Sequence, residues 1–402
     1  MPGTTREPAN SHRSLRQRLV NKKCQLTLVV VLLLAALAQA QTFTTLYNFT
    51  GGSSDGGDPV AGVVQDPAGD LYGTAFAGGA YGDGVVFKLN TAGAETVLHS
   101  FAGLDGQTPT TPVILDKAGN IYGTTEHGGP GLCGGCGVVF KVDTAGNETV
   151  LHSFAEGRDS CSPDQGLVRD NAGNLYGTTT RCGSSNKGTI FKIGSEGRFT
   201  LLHSFSGYPA DGARPFYGHL TVDKSGNLYG VTFYGGVHGR GALYELSKKG
   251  TFVLLYSFKG GRKDGCLPYG SVVQDKAGNL YGTTGDCGFN DGGTIWKVSK
   301  NGKETILHNF AESTSDGCRP YGGVARDSKG NLYGITYACG ANGGGALYEL
   351  STSGGLTVLH SFDFSDGADP IGEVLLTAKG ILFGTTYAYG GDGYGTVWMY
   401  VP

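Results

Sequence analysis

The side chains that could do chemistry in this sequence are cysteines, histidines, aspartates and a scatter of aromatics, and their spacing limits what each can do. Of nine cysteines, Cys24 lies in a leader and eight follow it. Six of these form three couples at one spacing: Cys161 with Cys182, Cys266 with Cys287, and Cys318 with Cys339. Each couple is centred on its own Asp-x-x-Gly stretch, which reads as a hairpin turn. Residues equidistant from such a turn face each other across two strands, with Cβ atoms within about 5.5 Å, close to disulfide reach. Three disulfides are predicted. Cys133 and Cys136 form a lone Cys-x-x-Cys, which reads as a small loop-closing disulfide. A zinc or redox reading needs a second such pair or histidines at finger spacing, and the sequence has neither. No metal and no cofactor are expected.

His99, His152, His203, His308 and His360 look like a metal cluster until they are aligned. All fall at one position of a repeat, with Tyr47 and Tyr256 in the two remaining copies. They are therefore dispersed around a ring and read as structural. Asp-Gly/Ser-x-x-Pro segments begin at Asp55, Asp105, Asp159, Asp211, Asp264, Asp316 and Asp366. They read as Asp-capped turns between repeats, the alternative being a ring of carboxylates for cations. Residues that differ between repeats are better binding candidates, since a repeated residue serves the repeat. The ligand-binding set is Tyr81, His127, Arg181, Tyr234, His238, Phe289, Tyr337 and Tyr389, all in one class of variable loop. Phe76, Phe233, Arg240, Asp286, Tyr387 and Tyr394 accompany them. A compact group drawn from His127, Arg181, His238 and Asp286 would point to catalysis. No catalytic residue is assigned: no nucleophile elbow, phosphate loop or metalloprotease helix appears.

The repeat positions all of these. The stretch Asp275 to Thr284 recurs seven times, with its aromatic at Tyr72, Tyr122, Tyr176, Tyr229, Tyr281, Tyr333 and Phe383, 50 to 54 residues apart. A period of this size marks a propeller or solenoid. In one unit, strand a (270–275) leads through the turn 275–278 to strand b (279–284). A glycine-rich loop then leads to strand c (294–298), and a second turn to strand d (304–310). Strands of about five to seven residues, four to a unit, match a propeller blade. Gly282, in mid-strand, is expected to mark the close approach of another backbone. The segment Phe43–Phe49 aligns with strand d, and the chain ends on a strand c with no d after it. The two are predicted to pair, closing an all-β, seven-bladed propeller of four-stranded antiparallel blades.

Residues 1–40 carry a basic segment, the apolar run 26–37 and Ala38-Gln39-Ala40, the pattern of a cleaved secretory signal. Residues 41–402 are then the propeller. Without the leader, 25 basic residues face 33 acidic ones. No basic stripe remains to bind nucleic acid or an anionic membrane. The apolar run is too short to span a bilayer, which takes about 20 residues, so no membrane span is expected in the mature chain.

The Gly-Asn-Leu-Tyr-Gly-Thr-Thr segments, the glycine-rich loop with a Val-Phe-Lys-Leu-like strand (84–89) and the Val-Leu-His-Ser-Phe strand (97–101) resemble the GloVer tandem-repeat family of secreted bacterial proteins. The resemblance implies propeller-like repeats and an extracytoplasmic location, and no established reaction. The expected function is a secreted or surface, non-enzymatic binding scaffold for an extracellular carbohydrate or protein partner. The alternatives are a carbohydrate-active hydrolase or lyase using the loop face, and a structural envelope component.

Overall fold

The computed structural model describes Gly3 and residues 41–130, 135–155, 161–312 and 315–402. The leader and Cys133 lie outside these residues. Phe43–Tyr400 form one compact unit. The remaining unit comprises Met1–Thr42 with Val401 and Pro402, and its described residues 42 and 401 extend two of the strands below.

Among the described residues every regular element is a β-strand. Seven four-stranded antiparallel sheets repeat the order a-b-c-d. In the fifth blade these strands are Gly265–Gln274, Leu280–Cys287, Asp291–Val298 and Glu304–Ala311. In the last blade strand a is Leu375–Leu376, b is Leu382–Thr386 and c is Thr396–Val401, and the outer strand is Thr42–Asn48 from the start of the chain. The predicted closure is therefore observed.

Strand a departs from expectation. Outside the fifth blade it is two residues long, as in Val64–Gln65. Its preceding residues turn away from strand b and pack against the neighbouring inner strands at the axis. A Cβ on Gly62, for example, would sit 3.1 Å from the backbone nitrogen of Glu373.

Mid-strand glycine also has a different cause from the one expected. Gly282 pairs with Trp296 across strands b and c, and a Cβ there would lie 2.5 Å from the indole ring. The crowding group is a side chain, not a backbone. The same glycine admits Phe87, Phe140, Phe191, Tyr244, Tyr348 and Trp398 in the other blades. Each of these buried rings meets the terminal Phe of the preceding outer strand, from Phe49–Phe87 at 5.1 Å to Phe362–Trp398 at 5.9 Å. Edge and tilted aromatic pairs add about 0.5–1.5 kcal/mol each to the burial itself. Strand-b threonines add a polar stitch between blades: Thr283 donates to Gly322 O, and Thr385 donates to Ala61 O across the ring closure.

The turn aspartates act as caps. Asp275 accepts the amides of Ala277 and Asn279 through one oxygen and the Tyr281 hydroxyl through the other. Five other blades repeat the tyrosine contact; in the last, Thr377 caps the turn. The histidines of strand d hold the other aspartates. His99, His203, His308 and His360 bond Asp105, Asp211, Asp316 and Asp366 at 2.6–3.1 Å, and Tyr256 bonds Asp264 at 2.8 Å. The described carboxylates of that ring are thus engaged in turn closure. Asp159 lies outside the described residues.

All three predicted disulfides are present, with Cα separations of 5.4–5.5 Å. Their register differs from the prediction by one residue, since Cys266 stands opposite Asp286 and Cys287 opposite Gly265. The second cysteine of each couple has a left-handed φ of 63–64°, which offsets the diagonal placement.

Where strand d begins with glutamate, that side chain packs at a blade junction beside a turn aspartate. Burial, with a further push from Asp55, Asp105 and Asp264 respectively, raises Glu95, Glu148 and Glu304 to about 7. A raised carboxyl favours the fold fully below the unfolded value of about 4.3, and that contribution fades as pH climbs to 7. The triple variant Glu95→Gln/Glu148→Gln/Glu304→Gln should melt a few degrees above the parent at pH 8 and with it at pH 4. Calorimetry at the two pH values checks this.

Candidate functional site: the axial mouth

The segment from each strand d to the next strand a runs beside the b-to-c loop on one face of the ring. Short pairings hold the two together, as in Gln107–His127, Cys161–Arg181, Cys318–Ala338 and Ala368–Ala388. Immediately after its proline, each d-to-a segment reaches the axis. There blades four to six place Phe216 and Tyr217, Tyr269, and Tyr321.

These rings form a continuous arc. Tyr217 and Tyr269 stack at 5.4 Å, Tyr269 and Tyr321 at 4.6 Å, and Tyr321 meets Tyr337 at 5.2 Å. Phe216 and Phe233 abut Tyr269 edge-on, and Tyr234 continues outward from Phe233 at 4.6 Å. Gly285 lets Tyr321 lie over the b-to-c loop, where a Cβ would be 2.5 Å from the ring. The rings are half-buried, Tyr234 exposed. Burial and nearby carboxylates keep the hydroxyls neutral, Tyr217 being pushed up to about 12.

The third blade puts a carboxylate at the post-proline position where the fourth puts Phe216 and the fifth and sixth put a tyrosine. Asp164 follows Pro163, is only 4% exposed, and leaves Oδ1 without a hydrogen-bond partner among the described residues. Burial first, then the charge of Glu126, hold this carboxyl well above the ordinary aspartate range, against the Thr180 hydroxyl and Arg181. Tyr217 lies in the field of both Asp164 and Glu126. Gln165 next to it accepts from Thr178 and donates to Tyr217 O.

Below the mouth the axis is nearly closed. The residue before the buried aliphatic of strand a is Gly62, Pro112, Gly166, His219, Ser271, Gly323 and Glu373 in turn. His219 Nε2 meets Glu373 Oε2 at 3.1 Å across the axis, and Ser271 N donates to Glu373 Oε1 at 2.9 Å. His219 N in turn donates to Ser271 Oγ. Burial opposes the charge on His219, but Glu373 outweighs it and raises the imidazole to about 9. Glu373 is itself held below the usual range, since His219 and Ser271 outweigh its burial. The two side chains keep 34% and 24% of their surface. That surface faces a cavity of about 560 Å³ on the opposite side of the neck, walled by Val63, Val113, Leu167, Val222 and Val374.

The loop residues singled out from sequence are dispersed. Tyr337 belongs to the arc and Tyr234 to its edge; Arg181 stands beside Asp164. His127 bonds Thr108 through Nδ1 and lies 3.9 Å from Glu126. Phe289 carries Arg262 on its face at 4.3 Å, and Tyr389 packs on Phe364 at 5.0 Å. Tyr81 is 68% exposed, and His238 sits on the outer loop, its amide donating to Ser257. His127 and Arg181 thus both border the Glu126–Asp164 pair, whereas Asp286 lies beside Arg319 and Glu312 and His238 beside Ser257. Among the described residues no cluster of three or more His, Cys, Asp or Glu side chains is arranged to hold a metal. No described helix is long and apolar enough to cross a membrane. The sequence reading missed Phe216, Tyr217, Tyr269, Tyr321 and Asp164. Their signal is the one or two residues after the repeat proline, which vary while the proline does not.

The Gloeobacter/Verrucomicrobia repeat matches residues 34–223 and again 196–398. The chain belongs to that repeat family. Its repeats here are propeller blades, as the resemblance implied. No curated protein matches it. Among solved structures, the chain is similar to the extracellular domain of a one-component system from B. thetaiotaomicron, with TM-score 0.55 and 10% identity. That match spans 89% of this chain and 40% of the other. A hybrid two-component system of the same organism matches through its extracellular domain, with TM-score 0.52, 12% identity, and 90% and 41% of the two chains. A protein named as a 6-phosphogluconolactonase from Bacteroides uniformis has TM-score 0.50 and 16% identity, over 78% and 88%. At these identities the likeness is one of fold.

Proposed function

We propose that this repeat-family member is an exported, non-enzymatic propeller that binds carbohydrate at its axial mouth. The aromatic arc from Tyr217 to Tyr337, ending beside Asp164 and Glu126, carries the proposal. Pyranose rings present one apolar face and a rim of hydroxyls. A row of tyrosine rings whose edges and hydroxyls lie beside carboxyl and amide groups offers both apolar contact and hydrogen bonds. The three disulfides and the apolar leader support export, with residues 1–40 removed and 41–402 as the working domain.

A glycan array with purified residues 41–402 tests the reading, and an array without hits would end it. Tyr337→Ala should weaken a hit about ten-fold, from roughly 50 Å² of lost apolar contact at about 25 cal/mol per Å², with the melting temperature nearly unchanged. Tyr281→Ala, which removes the turn contact to Asp275, should lower the melting temperature and leave affinity alone. Titration calorimetry and thermal melts distinguish the two.

The enzymatic alternative would use Asp164 as acid and Glu126 as base on a glycosidic bond. Release of reducing ends from an array hit, abolished by Asp164→Asn, would replace binding with hydrolysis.

A further inference from the structure

Resting on the carbohydrate reading, we propose that the mouth selects sugars bearing a free amino group, and that Asp164 and Glu126 receive the ammonium. The repeat itself gives the geometry. Asp164 occupies the post-proline position that Tyr269 and Tyr321 occupy in their blades, so its carboxyl belongs to the same rim as the arc. It is 4% exposed, and its Oδ1 has no partner among the described residues. A buried carboxyl oxygen without a partner is costly in the empty protein, and a ligand cation would supply what is missing.

The rest of the rim favours the same charge. The carboxylates acting on the arc are Asp164 and Glu126 at Tyr217, Asp286 at Tyr269, and Asp369 at Tyr337. The guanidiniums there are Arg181 beside Asp164 and Arg319 beside Tyr321, and Arg319 is paired with Glu312 at 3.2 Å. A neutral sugar would pack against the arc but leave the Asp164 oxygen unanswered. An amino sugar does both.

The probes are a β-1,4-linked glucosamine tetramer and its N-acetylated counterpart, titrated at pH 6.5 into the purified protein. The amine form should bind at least ten-fold more tightly. Asp164→Asn, of equal shape, should cost the amine form ten-fold or more while the melting temperature holds; one charge among many cannot do this through diffuse attraction. Equal or tighter binding of the acetylated form, or an unchanged affinity in Asp164→Asn, overturns the amino-sugar inference and leaves the carbohydrate reading standing. If neither tetramer nor any arrayed glycan binds, both fail.

Discussion

Deleting Phe43–Phe49 yields a chain that no longer melts cooperatively and aggregates on purification. This segment is the outer strand of the last blade. Phe43 stacks on His360 with ring centroids 3.6 Å apart, and Phe49 is fully buried against Phe87 of the first blade. The Phe49 amide also closes onto Gly395 O, and Asn48 accepts the Gly391 amide. Loss of a buried Phe side chain alone costs about 3–5 kcal/mol, and here a whole hydrogen-bonded strand goes with it. The total approaches the 5–15 kcal/mol that hold a typical domain. The strand before Val401 would also become a free edge, a template for association. Calorimetry and light scattering of the truncated protein provide the check. A parental transition would mean that the last blade does not need this strand.

Glu373→Gln is expected to have the next largest effect. The substitution leaves His219 at the axis without its counter-charge. Breaking a buried pair by removing one partner costs about 3–5 kcal/mol. The lower part of that range applies here, since the imidazole retains 34% of its surface toward the lower cavity. The pH dependence has a definite sign. His219 is raised to about 9, so its share of the stability is complete below about 6.5 and is lost as pH rises through 9. Glu373 is lowered, so its share is present above about 4.3 and lost as pH falls through its depressed value. The gap between parent and variant should therefore be widest from about pH 5 to 7 and shrink by pH 10. Denaturant melts at pH 6 and pH 10 measure it, and a gap independent of pH would show that the pair is not ionised in the fold.

The neck also shows how much of the ring is locally encoded. A propeller of identical inner residues would close symmetrically, as Gly62, Gly166 and Gly323 do in three blades. His219 and Glu373 replace that with a link between the fourth and seventh blades, 154 residues apart in the chain.

The sequence by itself determined the blade. A period near 52 residues, the Asp-x-x-Gly turns, the strand-b glycine and the spare outer strand at the start fixed the count of seven, the sheet order and the closure. It also paired six cysteines, because a hairpin sets its own register to within one residue. These are short-range facts, decided by turn geometry and alternation within one repeat. Only the tertiary structure decided which variable residues meet. Tyr389 and Phe289 vary as much as Tyr337 does, yet they turn to Phe364 and Arg262 on the outer loops, while Tyr337 joins Tyr321. Tyr217, Tyr269 and Asp164 come together because the chain passes the axis once per blade, just after each proline. Within the repeat that stretch is one or two residues. Around the ring it is a surface, and closure of the ring is what makes it one.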